Sequence, residues 1–196
     1  MRAADGSVPG SSRPRVLYAI GCGSPLTRRL GRLVTAAQDD GWDVCAVLTP
    51  DGRKFADEDA LAEQTGHPVR SAYKDPDEPD VLPAPDALVV APATVNTVTK
   101  WAAGITDTLA LGLLVESQCL GRPIVAMPFT NAAMATHPAF QEGLRRLREW
   151  DVTVLFGADV LPPHQPGSGE RYIDQFPWHR ALGALRARLG AGEPVH

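Results

Sequence analysis

Four short segments hold the side chains best suited to bind and act on a small molecule: Gly21–Pro25 (GCGSP), Thr49–Gly52, Ala91–Thr97 (APATVNT) and Pro128–Met134 (PFTNAAM). In the first, Gly21 and Gly23 permit close approach of a ligand to the backbone, and Ser24 can cap a helix while offering its hydroxyl. A helix that opens there presents free N–H groups and partial positive charge, which suits a phosphate. Leu26 stands where a dinucleotide fingerprint has its third glycine, so G-x-G-x-x-G is absent. A tight turn with an N-cap is the other reading of the same residues.

The third segment is sharper. One polar residue is enough for an N-cap, yet Thr94, Asn96 and Thr97 crowd one turn. Asn96 carries both donors and acceptors, which suits a planar ring edge or a carboxylate. A doubly capped helix start accounts for the same residues. The fourth segment adds Asn131, with Phe129 and Met134 available either as an apolar wall or as core.

Cysteines and histidines give no metal signature. Cys22, Cys45 and Cys119 are too few and too scattered for a disulfide framework or a zinc site, and they fit a reduced cytoplasmic protein. Cys45 and Cys119 read as small apolar residues, whereas Cys22 at a helix start is a candidate for a lowered thiol pKa. His67, His137, His164, His179 and His196 lack ligand spacing. His137, which opens a helix beside Asn131, is a candidate substrate contact.

The elements that must position these segments follow from the apolar pattern. Continuous apolar runs at Arg15–Ile20, Asp43–Thr49, Asp86–Ala93, Arg122–Pro128 and Val152–Phe156 predict buried strands, with a short one at Pro68–Ala72. Helical spacing predicts helices over Leu26–Asp40, Asp51–Thr65, Val95–Cys119 with a break near Gly104, Pro138–Trp150 and Trp178–Leu189. Gly41 is a plausible stop for the first of these. Strands and helices that alternate in this way predict an α/β fold with a doubly wound parallel sheet. Ligands in such sheets sit beyond the carboxyl ends of the strands, where the four segments must meet.

Composition sets limits. The 196 residues carry a formal charge of -4, with 44% hydrophobic and 21% charged residues. That length suits one domain, and the charge gives no basic face for nucleic acid. No apolar run approaches a membrane span, and the N-terminal residues lack a signal peptide's apolar segment. Met1–Pro14 is expected as a disordered tail, and 15–190 as the folded domain, with a Gly/Pro-rich mobile loop at 157–176.

Taken together, the segments resemble the homo-oligomeric flavin-containing cysteine decarboxylases, which include phosphopantothenoylcysteine decarboxylase and the peptidyl-cysteine decarboxylases of lantibiotic synthesis. The resemblance covers roughly residues 15–185. Ala91–Ala110 looks like the family's PASANT segment and its following helix, including the G-I-x-D step at Gly104–Asp107. Pro128, Asn131 and Met134 match P-x-M-N-x-x-M-W, while Thr130 and Ala135 replace its first Met and its Trp. Gly167–Tyr172 (GSGERY) resembles the SGRY stretch of the lantibiotic enzymes' substrate clamp.

The resemblance implies a flavodoxin-like Rossmann fold of three α/β/α layers, FMN as cofactor, and assembly as a homotrimer or multiple of trimers. It places Gly23, Ser24 and Pro25 at the FMN phosphate and Thr49 against the cofactor. Thr94, Val95, Asn96 and Thr97 would hold the phosphate and ring edge, with Phe129 near the ring. Asn131 would bind the substrate carboxylate and serve as the catalytic residue, with Met134 and His137 beside the substrate. The implied reaction is oxidative decarboxylation of a cysteine carboxylate in a peptide or small molecule.

Two departures stand out. The family's catalytic histidine falls near Glu78, within Asp75–Pro85, and that loop has none. His67 is the nearest, some way upstream, and Glu78 or Asp80 would need burial to act. The loop 157–176 also lacks the clamp cysteine of the phosphopantothenoylcysteine enzymes. An enethiol product, an FMN-dependent reductase and a non-catalytic regulatory scaffold therefore all stay open.

Overall fold

The computed structural model describes residues 13–191. Residues 1–12 of the expected tail lie outside that range; Arg13 is described, and its guanidinium pairs with Asp86 at 3.0 Å.

Five strands form one parallel sheet: β1 Val16–Gly21, β2 Asp43–Leu48, β3 Ala87–Ala93, β4 Ile124–Pro128 and β5 Thr153–Val154. Their order is β2-β1-β3-β4-β5, with every pairing parallel. This is the expected doubly wound, flavodoxin-like order. The helices are α1 Leu30–Asp39, α2 Glu58–Thr65, α3 Val95–Ala102, α4 Leu109–Cys119, α5 Ala132–Ala135, α6 Pro138–Glu149 and α7 Trp178–Ala191.

The strands are apolar on both faces because both faces are covered. Successive side chains alternate, so β1 sends Leu17 and Ala19 to one face and Val16, Tyr18 and Ile20 to the other. The first face packs under α1 and α7 with Leu33, Leu182 and Leu185; the second packs under α3, α4 and α6 with Trp101, Leu114 and Phe140. Each fully buried Leu, Ile or Phe contributes about 1.5–3 kcal/mol relative to exposure.

Several boundaries differ from the sequence reading. The helix expected over 26–40 begins as a 3-10 turn at Pro25–Arg29, because Thr27 N–H donates to the Ser24 carbonyl at 3.0 Å. The one expected over 51–65 splits into a 3-10 turn at Gly52–Lys54 and α2, which Asp57 restarts by accepting from Ala60 N–H at 3.0 Å. The expected strand Pro68–Ala72 reduces to one bridge, Arg70 beside Val47, at the sheet edge. β5 keeps only two paired residues, both half-buried, at the opposite edge. The loop 157–176 contains a 3-10 segment, Gly169–Gln175. Gly41 follows α1 with φ +82°, the left-handed geometry expected of a stop.

Strand ends dictate how tightly neighbouring loops approach. A Cβ on Gly52 would lie 2.5 Å from the Gly21 carbonyl oxygen, whereas one on Gly183 in α7 would meet nothing within 4 Å. Gly52→Ala is therefore expected to lower stability by about 1–3 kcal/mol. Gly183→Ala should raise it by about 0.5–1 kcal/mol through helix propensity. Urea midpoints of the two variants check both signs.

Candidate functional site

Because all strands run parallel, their carboxyl ends share one edge, and there a cavity of about 750 Å³ opens. That volume lies within the usual range for small-molecule sites. Gly23, Ser24, Pro25 and Thr49 line it from β1 and β2, and Thr94, Val95, Asn96 and Thr97 from β3. Phe129, Asn131 and Met134 line it from β4. His137 is not among the lining residues. Its Nδ1 accepts from Ala139 N–H at 3.2 Å and caps α6.

The β1 loop is built tightly. Ser24 is buried and its hydroxyl accepts from Leu26 N–H at 3.3 Å. Thr49 Oγ1 accepts from Gly52 N–H at 3.0 Å, and Thr49 N–H donates to the Gly21 carbonyl at 2.9 Å, tying the first two loops together. A Cβ on Gly23 would lie 2.7 Å from that of Asp51, so only glycine fits there. Lys54 beside Asp51 holds its carboxyl below the usual carboxylate range, first by hydrogen bond and then by charge.

At the start of α3 the polar residues divide their work. Thr94 Oγ1 accepts from Thr97 N–H at 3.3 Å, and the two hydroxyls sit 3.0 Å apart. Thr97 Oγ1 donates to Cys22 Sγ at 3.3 Å. Asn96 is exposed, and its amide makes no hydrogen bond among the described residues. The first-turn N–H groups of α3 have no carbonyl behind them within the helix and face the same edge. Asn131 caps α5 with its oxygen, accepting from Met134 N–H at 2.9 Å. That leaves its NH₂ as the free end.

Cys22 corrects an expectation. Although it lies just before a helix start, it is fully buried, and burial pushes its thiol up to about 11, with the Thr97 hydrogen bond opposing only part of that. Sequence position suggested a helix dipole at work, but desolvation wins. His67 is also elsewhere. Its Nε2 lies 2.7 Å from Asp43 Oδ1, at the amino end of β2 and thus at the opposite edge of the sheet. Glu78 is exposed and accepts from Asp75 N–H, while Asp80 pairs with Lys74 at 2.9 Å.

Sequence reasoning missed several lining groups. Lys100, one helical turn beyond Asn96, lines the cavity and pairs with Asp107 at 2.6 Å. His164 comes from the long loop after β5; Gly169 and Glu170 also line the cavity and lie inside the Gly167–Tyr172 segment that the sequence had singled out. That loop is held down by pairs from Glu170 to Arg28 at 3.3 Å and from Asp174 to Arg32 at 2.7 Å. The lysine spacing was legible; the histidine had no sequence neighbour to mark it. Among the described residues no group of three His, Cys, Asp or Glu could hold a metal, and no helix is long and apolar enough to cross a membrane.

Residues 7–172 match the family model described as Flavoprotein, and the chain belongs to that family. A cysteine/cysteine sulfinic acid decarboxylase from an unknown prokaryotic organism is 36% identical over 85 residues, 43% of this chain and 20% of the relative. The coenzyme A biosynthesis bifunctional protein CoaBC of Thermococcus kodakarensis is 30% identical over 120 residues, 59% of this chain and 30% of the relative. The chain thus spans less than a third of either relative's length. Among solved structures, a cysteine-to-serine mutant of PPC decarboxylase complexed with pantothenoylaminoethenethiol is 25% identical with a TM-score of 0.60, covering 74% of this chain and 82% of that one. The cypemycin decarboxylase CypD shares the fold at 20% identity and a TM-score of 0.68, covering 93% of this chain and 97% of that one.

The raised Cys22 thiol has two measurable consequences. Iodoacetamide at about pH 8 should label exposed Cys119 in the native protein and reach Cys22 only after denaturation, as read by peptide mass spectrometry. The folded state also holds the Cys22 proton more tightly than the unfolded one. That contribution to stability is complete below the unfolded value of 9.0 and is lost as pH rises toward about 11. Cys22→Ala should flatten the stability–pH curve across that window.

Proposed function

We propose that this member of the Flavoprotein family binds FMN in the cavity at the strand ends and catalyses oxidative decarboxylation of a cysteine carboxylate in a peptide or small molecule. One observation carries the reading: polar groups from the ends of four loops converge on a single cavity of about 750 Å³ with an aromatic wall at Phe129. The donor set suits the cofactor. The Gly23–Pro25 loop, where a side chain at Gly23 would strike Asp51, brings bare backbone to the cavity for a phosphate. Thr49 borders that loop. Thr94, Val95 and Thr97 form the capped start of α3, and Asn96 offers a free amide to a ring edge.

FMN, when bound, supplies a two-electron acceptor for the cysteine thiol and its carbon. The chain's own residues orient the substrate. Asn131 spends its oxygen on the α5 cap and turns its NH₂ donors to the substrate carboxylate. Met134 is 48% exposed beside the cavity, apolar surface for the substrate or for a second copy in a homotrimer. The loop carrying His164 and Glu170 acts as a lid, held by exposed ion pairs worth about 0–1 kcal/mol each, weak enough to release. The named relatives support the reaction class, a decarboxylation of cysteine-derived carboxylates.

Purified protein should retain flavin absorbance after incubation with FMN and gel filtration, with FMN confirmed by mass. A protein that retains none refutes the proposal. Flavin bleaching by cysteine-terminated peptides with loss of CO₂ is the expected reaction, whereas bleaching by NAD(P)H alone would identify a reductase. Asn131→Asp keeps a good helix cap but opposes a carboxylate. It should retain FMN while kcat/KM falls about tenfold to a hundredfold, the value of a hydrogen bond to a charged group.

A further inference from the structure

The proposed reaction needs a group to take and return the thiol proton, and the loop Asp75–Pro85, where the resemblance places a histidine, has none. Of the histidines in the described residues, only His164 lines the cavity. Its position is built rather than incidental. The His164 carbonyl accepts from Ala132 N–H at 2.7 Å, and His164 bridges to Asn131 as a parallel pair. The lid histidine and the candidate carboxylate ligand are thereby joined through backbone. Its ring lies against Phe129 with centroids 4.9 Å apart and stacks on Tyr172 at 5.9 Å.

The hydrogen bonding fixes the ring's tautomer. Nδ1 lies 2.8 Å from the Gln165 carbonyl oxygen, which can only accept. Nδ1 therefore carries the proton, and in the neutral ring Nε2 presents a lone pair. Nε2 has no partner among the described residues. Gly169 keeps that side open, since a Cβ there would stand 3.0 Å from Cε1 and 3.1 Å from Nε2.

Resting on the FMN-dependent reading above, we propose that His164 is the acid–base residue of the site, contributed by the lid. With FMN in the cavity as the two-electron acceptor, His164 Nε2 would take the thiol proton while the Cβ–H bond yields its electron pair and hydrogen to that acceptor, leaving a carbon–sulfur double bond in the substrate. The bond from Cα to the carboxylate then breaks and CO₂ leaves. Its electron pair becomes the Cα–Cβ double bond, and the carbon–sulfur π pair moves to sulfur. His164 returns its proton to that sulfur, giving an enethiol and a neutral imidazole. Dioxygen would be the oxidant that takes up the two electrons for the next turnover.

His164→Phe keeps a ring against Phe129 and Tyr172 and removes Nε2. His164→Asn keeps a donor toward the Gln165 carbonyl and also lacks the base. Each is titrated with FMN, then mixed anaerobically with a cysteine-terminated peptide to follow single-turnover bleaching. Both variants should bind FMN as the wild type does and bleach about 10²–10⁴-fold more slowly, the usual contribution of a positioned acid–base group. Added imidazole should restore part of the rate to His164→Ala. Wild-type-like bleaching in His164→Phe, or loss of FMN binding in it, overturns the acid–base role, the latter by making the ring a binding element. A wild type that fails to bind FMN, or binds it and is not bleached by the peptide, overturns the parent reading and this one with it.

Discussion

The adjacency of β1 and β3 at the centre of an all-parallel sheet is the constraint on which the rest depends. The chain leaves β1 for β2 on one side and returns to β3 on the other. The loops after β1 and β3 therefore diverge around helices on opposite faces and leave a crevice between them. The central strands must be buried on both faces for this to hold, which is why Leu17 and Tyr18, consecutive residues, serve two different cores. With the strands fixed, the loop ends have little freedom. Gly21, Gly23 and Gly52 are tight because two such ends meet there.

Buried polar groups at this edge serve structure and site together. Thr94, Thr97 and Cys22 form a connected set in which each polar atom finds a partner, so the start of α3 is held rigid without spending Asn96. Asn131 shows the same economy, its oxygen capping α5 and its NH₂ left over. A fully buried thiol in this set is a packing and hydrogen-bonding group, and its raised proton affinity keeps it neutral.

The loop after β5 contrasts with this tightly bonded edge. It approaches the β1 loop through pairs from Arg28, Arg29 and Arg32 to Glu170 and Asp174, all on exposed side chains. Such pairs weaken with salt and steer more than they hold. The aromatic group of Phe129, His164, Tyr172 and Phe176 supplies the apolar half of the contact. Arginines that look merely solvent-facing on a helical pattern thus have partners far along the chain.

The sequence by itself determined the strands and helices, their parallel doubly wound arrangement and the segments at the sheet edge, because periodicity and caps are local and continuous apolar strands fit only a doubly covered sheet. It also marked Gly23, as a position for close backbone approach, and Ser24, Thr94, Asn96 and Asn131, polar residues in segments flanked by apolar ones. Tertiary structure decided the rest. Whether Pro68–Ala72 or Val152–Phe156 pairs as a full strand depends on which edge it meets, and β-propensity cannot say. Whether Cys22 is activated depends on its burial, which outweighs the helix start beside it. His137 and His164 look alike in sequence, each beside a proline. One caps a helix and the other faces the cavity, because a return of the chain over the sheet edge brings residue 164 against residue 131, and no local pattern encodes so distant a contact.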